Sequence, residues 1–223
     1  MTVDLEVLHT DNHVLACVKP AGMVCVPDSG GDESLLDRAR AWVGEHYAKP
    51  GAVFLGVVQR LDRPVSGVVV FGRTSKGAAR LAEQFRDGRA RKRYLGVVIG
   101  RPQGEEGEVE QWLVKDAGRN RVERLSAERA GARLARTRWR ALRPLGAHTL
   151  LELEPLTGRP HQLRVACASL GAPLLGDVKY GAPEGLADRS IALHARSIEV
   201  DHPTRDERLR FEAAPPSQPW WSA

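Results

Sequence analysis

The run Val58-Gln59-Arg60-Leu61-Asp62-Arg63-Pro64-Val65-Ser66-Gly67-Val68-Val69-Val70-Phe71 constrains this chain more than any other stretch. One carboxylate, Asp62, stands between two arginines in a turn that joins two apolar runs. Pro64 fixes φ, and Gly67 permits a sharp turn or a close backbone approach. Val68 to Phe71 reads as a buried strand. A rigid strand-turn-strand that holds one Asp beside guanidinium groups can mount a nucleophilic carboxylate. Taken alone, the more ordinary reading of such an Asp is a structural turn or a surface ion pair.

Composition narrows the setting. The 223 residues are 42% hydrophobic and 27% charged, enough for one large or two small globular units with a real core. The net charge of +5 suits a polyanionic partner and equally suits a mildly basic enzyme. Arginine dominates the positive set, which favours phosphate forks and base stacking over point charges. Aromatics are only 5%, so a single-strand binder built on a stacking platform is not supported. The three cysteines, Cys17, Cys25 and Cys167, form no CxxC pair and read as reduced, buried thiols of an intracellular protein. Seven histidines without HExxH or paired CxxC spacing give no zinc signature, and no glycine-rich phosphate loop is present. No apolar run reaches the ~18 residues of a membrane span, and Met1 to Val7 carry no leader. A cytoplasmic protein without cofactor is expected.

Along the chain, His13–Val18, Met23–Val26, Val53–Val58, Gly67–Phe71 and Arg93–Ile99 read as strands. Ser34–Tyr47 reads as an amphipathic helix with Ser34 and Asp37 as a capping box. Its inward face comprises Leu35, Leu36, Ala39, Trp42, Val43, His46 and Tyr47. Ser75 is placed as the cap of a second helix that Gly88 ends. Glu108–Val114 and Thr137–Leu142 alternate like half-buried strands. The intervening Lys115–Arg136 is charged and reads as a mobile excursion. His148–Leu153, Ile191–Val200 and Leu209–Ala213 are further strands. A helix with Pro160 at its start lies between them, and Trp220 or Trp221 is expected to anchor the tail 215–223. The fold class is α+β with a mainly antiparallel sheet.

Further stretches carry chemistry-bearing residues. These are Lys19-Pro20-Ala21-Gly22-Met23, Arg91-Lys92-Arg93-Tyr94, Thr157-Gly158-Arg159-Pro160-His161-Gln162-Leu163-Arg164, Gly176-Asp177-Val178-Lys179-Tyr180-Gly181, and Leu193-His194-Ala195 with His202-Pro203. In this order and spacing they resemble the RluA-type family of RNA pseudouridine synthases, from about Leu5 to Pro216. That family usually shows H-R-L-D-x-x-T-S-G, then K-x-Y, T-G-R-x-H-Q-I-R and G-D-x-x-Y-G. The resemblance implies the pseudouridine synthase fold: a long mixed, mainly antiparallel sheet with a central catalytic cleft and flanking helices. It implies a single catalytic domain over 1–223, in two halves that share the sheet, without an N-terminal S4 module.

The implied reaction breaks the uridine N1–C1′ bond, turns the base and rejoins it through C5. The resemblance makes Asp62 the nucleophile or proton acceptor. It assigns Arg164 to that carboxylate as a guanidinium partner, Tyr94 to stacking on the flipped uracil, and Arg60 to the place the base vacates. Arg91, Lys92, Arg93, Arg159 and His161 complete the expected RNA contacts, with His161 bonded to backbone or RNA. Arg164→Met is expected to lose turnover in a protein that still folds. Arg119, Arg121, Arg124, Arg133, Arg136, Arg138 and Arg140 form a second basic run. It reads either as phosphate contact along a groove or as a solvated face. Gln59, Val65 and Ala166 stand where the pattern has His, Thr and, in many relatives, His. These departures leave open an inactive RNA-binding relative. An unrelated enzyme with an aspartate nucleophile, such as a hydrolase, is the more remote alternative. The substrate is a structured RNA, tRNA or rRNA; no metal or membrane partner is implied, and a monomer is the default.

Overall fold

The structure, a computed structural model, describes residues 3–116, 118 and 121–222, with only the backbone at Ser222. In chain order the elements are β1 (Val7–Thr10), β2 (Val14–Lys19), α1 (Leu35–His46), β3 (Gly56–Val57), β4 (Ser66–Gly72), α2 (Ser75–Arg86), β5 (Arg91–Ile99), β6 (Glu106–Asp116), β7 (Arg121–Leu125), β8 (Arg133–Leu145), β9 (His148–Pro155), α3 (Gln162–Ser169), a 3-10 turn (Val178–Tyr180), β10 (Leu193–Asp201), β11 (Arg208–Glu212) and α4 (Pro219–Ser222). The class is α+β, as the pattern of short strands and few helices implies. The chain divides into two compact units. Unit one is Met1–Arg91 with Ala195–Ala214; unit two is Lys92–His194 with Pro215–Ala223. Among the described residues no helix is long and apolar enough to cross a membrane.

In unit one the strands run β1-β2-β4-β10, with β3 added to β4 and β11 to β10. β4 is buried at every residue because both of its faces are covered, which is why it reads as an unbroken apolar run. Its core joins Val14, Ala16, Val68, Val70 and Leu81 with Ile198, Val200 and Phe211. The capping box of α1 forms: Asp37 N–H donates to Ser34 Oγ at 3.2 Å. Trp42, His46 and Tyr47 do not join the buried stripe of Leu35, Leu36, Ala39 and Val43, and Tyr47 is 39% exposed. The cap of α2 is Thr74 rather than Ser75, because Thr74 Oγ1 is the atom that accepts the Gly77 N–H. Gly67 has φ +120°, and a Cβ there would lie 2.4 Å from the Ala195 carbonyl oxygen. Only glycine lets β4 and β10 approach at that level.

Asp11, in the turn between β1 and β2, ties the two ends of the unit together. Its carboxylate accepts from the His13 and Val14 backbone N–H groups, both at 2.8 Å, and from Arg205 Nη2 at 3.0 Å. His202 accepts the Thr204 and Arg205 N–H groups at Nδ1, so its Nε2–H donates to Asp11 at 2.9 Å. Burial alone would raise the carboxyl. The His13 and Val14 N–H groups and the rings of His9 and His202 outweigh it and hold Asp11 well below its ordinary 3.8.

In unit two the strands run β5-β9-β8-β6-β7, and each of these pairings described is antiparallel. Alternation gives this sheet an inner and an outer face. The inner face packs Leu113, Val122 and Ala135 against Val165 of α3 and Tyr180. The outer face is charged. Glu106, Glu108 and Glu110 on β6 stand opposite Arg140, Arg138 and Arg136 on β8, which stand beside Glu152 and Glu154 on β9. The tail is anchored as expected: Trp220 and Trp221 pack against Val97, Leu145, Leu150 and Ala192.

The expectation of a mobile Lys115–Arg136 is corrected. β6 runs to Asp116, and β7 pairs back onto it from Asp116↔Arg121 to Trp112↔Leu125. A strand covered on one face needs few apolar residues, and the buried Val122 supplies the contact here. Arg119 of the second basic run lies outside the described residues.

The Asp11 network makes part of the stability of unit one acid-sensitive. Because the folded carboxyl is depressed, its stabilisation is complete above the ordinary 3.8 and is lost as pH falls toward the folded value. Asp11→Asn should therefore unfold at lower urea than the wild type at pH 7. The gap between the two should shrink as pH drops below about 3.8, measured by urea titrations across that range.

Candidate active site

Unit one builds the mount for Asp62. The carbonyl of Asp62 accepts the Val65 N–H at 3.0 Å, closing a four-residue turn around Arg63 and Pro64. Beneath that turn ends β2, and its last residue is Lys19, fully buried. The Lys19 ammonium donates to the carbonyls of Pro20 at 2.9 Å, Met23 at 2.7 Å and Arg63 at 3.1 Å. Gly22 N–H adds a bond to the same Arg63 carbonyl at 2.8 Å. The turn carrying Asp62 and the turn 20–23 are thus cross-linked through one charged nitrogen. All three ammonium hydrogens are used, which is the condition for burying such a group.

Burial pushes Lys19 down to about 8, against the pull of Cys25 and of Asp62, whose negative charge favours the ammonium. Lys19 is therefore a cation at neutral pH and an electrostatic partner of Asp62. The family resemblance gives that place to Arg164, and two further guanidiniums flank Asp62 in the chain. Arg63 instead turns outward to Asp32 at 2.7 Å and Asp28 at 3.4 Å. Arg60 is exposed and Asp62 half-buried. The unusual positions in this run serve the fold: Val65 is 2% exposed, and Gln59 Nε2 donates to the Val68 carbonyl at 3.4 Å.

Unit two places the remaining candidates. Tyr94 pairs with Leu153, and Leu153 with Trp139, so Tyr94 lies on the inner face. Lys92 shares that side, and its Nζ donates to the Thr157 carbonyl at 3.4 Å. Burial pushes Lys92 below its ordinary value, against the pull of Glu154. Arg93 alternates to the outer face, 3.8 Å from Glu152. Arg91, which ends the first segment of unit one, is exposed.

The stretch 155–162 closes the edge of β8 where β9 stops. Leu156 N–H and Gln162 Nε2 both donate to the Arg136 carbonyl, at 2.9 and 2.8 Å. Arg136 N–H donates to Thr157 Oγ1 at 3.1 Å, and Arg159 Nε to the Leu134 carbonyl at 3.0 Å. Gln162 also accepts from Thr157 Oγ1 at 2.6 Å and from Arg159 N–H at 3.1 Å. This turn imitates a strand. Gln162 is its hub, and Arg159 gives part of its donor set to it. The helix begins at Gln162 rather than Pro160, because His161 caps it at φ +52°.

α3 presents Arg164, 6% exposed. Its Nε and Nη2 donate to Asp177 Oδ2 and Oδ1, each at 2.7 Å, and Asp177 is itself 1% exposed. The guanidinium also lies 5.0 Å from the centre of the Tyr180 ring. Tyr180 Oη accepts the Val122 N–H at 2.9 Å and bonds His161 Nδ1 at 2.6 Å. His161 thus meets a tyrosine hydroxyl, a partner the sequence did not suggest. Burial raises the Tyr180 hydroxyl above its ordinary 10.0, so it stays protonated and can donate to His161. Asp177 and Tyr180 sit in the Gly176–Gly181 motif, which was the signal available for them; Lys19 had its own in Lys19-Pro20. Among the described residues no group of three or more His, Cys, Asp or Glu could hold a metal ion.

Residues 13–169 match the family described as RNA pseudouridylate synthase. The chain belongs to that family. It is an RNA pseudouridine synthase of the RluA type. It is 32% identical to a dual-specificity RNA pseudouridine synthase RluA of Pasteurella multocida (strain Pm70), over 95% of this chain and 93% of that one. It is 33% identical to a ribosomal large subunit pseudouridine synthase D of Zymomonas mobilis, over 96% of this chain and 70% of that one. Its fold is similar to that of human RNA pseudouridylate synthase domain containing 4, with TM-score 0.80 and 25% identity over 95% of this chain and 89% of that one.

The Arg164–Asp177 fork changes what a substitution there does. Removing one partner leaves an uncompensated buried charge, at a cost of about 3–5 kcal/mol. Arg164→Met should therefore lower the unfolding midpoint of a protein that still folds. Arg164→Met/Asp177→Leu should recover part of the loss, read by thermal unfolding of the three proteins. A second expectation concerns Lys19. Above about pH 8 its charge is lost in the folded chain while the unfolded chain keeps it toward 10.5, so stability does not fall in this window. Turnover should decline as pH rises through about 8 with circular dichroism unchanged.

Proposed function

We propose that this enzyme isomerises uridine in a structured RNA with Asp62 as the reacting carboxylate, on a base flipped out of its stack. The observation that carries this reading is the Asp62 turn, a half-buried carboxylate on a backbone pinned by a buried ammonium. Its carboxylate either attacks C1′ as the N1–C1′ bond breaks or takes a proton from the sugar. In the first route C5 of the turned uracil displaces the carboxylate from C1′; in the second C5 adds to C1′ as the proton returns to the sugar; in both the C5 proton leaves and N1 takes one up. Atoms and electrons balance without a redox partner.

Tyr94, on the inner face of unit two, is the stacking surface for the flipped uracil. Arg60 is exposed and free of the constraints on Arg63, which suits the place the base vacates. Arg164 enters on the family resemblance. Its fork to Asp177 supports that role by fixing the guanidinium before substrate arrives. Arg91 and Lys92 remain as RNA contacts, with Arg159 and His161 acting beside their intramolecular bonds. Arg93 does not belong with them, since it faces away from Tyr94. One named relative is a dual-specificity RNA pseudouridine synthase and the other a ribosomal large subunit pseudouridine synthase. With the resemblance, they make tRNA and rRNA the substrates to test.

RNA tritiated at uracil C5 provides the assay, because isomerisation releases that tritium. Release is expected from total tRNA or from rRNA. Intact binding with no release from either would leave a non-catalytic RNA-binding protein instead.

A further inference from the structure

Strand alternation divides the cations of unit two between the two faces of its sheet. On the outer face Arg136 and Arg138 bond Glu108, Arg140 bonds Glu152 at 3.0 Å, and Arg93 lies near Glu152. A hollow of about 690 Å³ on this face is lined by Arg93, Arg138, Arg140 and the acids between them. The acids of β6 and β7, namely Glu106, Glu108, Glu110, Asp116 and Glu123, all take outer-face positions, and β8 has none. The outer face is a lattice of opposite charges that leaves no net positive field for a polyanion.

The inner face is the reverse. Leu113 pairs with Arg124 on one side and with Arg133 on the other, and Lys115 pairs with Val122. Directly paired residues share a face, so Lys115, Arg124 and Arg133 stand on the face of the buried Leu113 and Val122. All three are exposed, and among the described residues none of their side chains forms an ion pair or hydrogen bond. Arg124 and Arg133 flank one strand and so lie about 10 Å apart, within one Debye length. Like charges at this spacing oppose folding and gain nothing from it, so their arrangement fits an external anion. The same face carries Tyr94, through Leu153 and Trp139. From Trp139 to Arg133 along β8 is roughly 20 Å at a strand rise of about 3.3 Å per residue, a span that RNA flanking a bound uridine can bridge.

We infer that Lys115, Arg124 and Arg133 form a phosphate-binding patch that holds RNA on the Tyr94 face of unit two, while Arg136, Arg138 and Arg140 do not contact RNA. This rests on the RNA-acting reading above and adds where the backbone lies. The second basic run of the sequence is thereby split by strand alternation, not by position along the chain.

Two triple variants test it with bulk tRNA as the probe, by filter binding from about 50 to 200 mM salt. Lys115→Ala/Arg124→Ala/Arg133→Ala should weaken binding about tenfold or more at the low-salt end and lower the slope of log K against log salt by about 2–3. Arg136→Ala/Arg138→Ala/Arg140→Ala should change neither, since exposed ion pairs contribute little. Equal losses in the two triples, or an unchanged slope in the first, overturn the patch. If the first triple does not fold, Arg124→Gln and Arg133→Gln singly should each lower the slope by about 1. A protein that releases tritium but whose first triple binds normally loses the patch and keeps the isomerase. One that loses slope but never releases tritium keeps the patch and loses the isomerase.

Discussion

Lys19 carries a charge into a place without water, and three carbonyl oxygens hold it there. An ammonium stripped of solvent costs several kcal/mol unless every hydrogen finds an acceptor. The chain meets that demand by bending two turns toward one nitrogen, and one of the carbonyls belongs to Arg63, next in the chain to Asp62. The position of Asp62 is therefore a consequence of satisfying Lys19. The ammonium also supplies a positive charge beneath the carboxylate, so one group fixes both the geometry and the electrostatics of that turn.

Unit two also buries a cation, here held by a carboxylate in place of carbonyls. Arg164 and Asp177, thirteen residues apart, are both buried and neutralise one another through two parallel bonds. Tyr180 lies beside the guanidinium and links it to His161 and to the backbone of β7. Gln162 fastens the turn before α3 to the open edge of β8. Each polar residue here is held by at least one other, which is how a site keeps its geometry on strands and a short helix rather than on loose loops.

Much of this was legible in the sequence. The 3.6-residue spacing and Ser34-x-x-Asp37 gave α1 and its cap, and the ordered motifs gave the family and the candidates Asp62, Tyr94 and Arg164. The carbonyl cage of Lys19 was not legible, because which backbone oxygens converge depends on how two turns meet. The same holds for Arg164. Its residue type suggested a site charge, but only the fold shows Asp177 across from it. The split of the basic run was within reach: Ala135, Thr137 and Trp139 alternate with Arg136, Arg138 and Arg140, and period two alone puts those arginines on one face. What the sequence lacked was the register that places acids opposite them.

The account stands on Asp62 being the reacting group of a rigid site rather than a turn residue. Single-turnover isomerisation by Asp62→Asn, with RNA binding and thermal unfolding measured on the same preparation, tests this most directly. A loss of at least about a thousandfold in rate, with binding and unfolding near those of the wild type, is the predicted result. A variant that keeps its rate to within about tenfold would contradict the account, because a group that reacts covalently or takes a proton cannot be replaced by an amide at so small a cost.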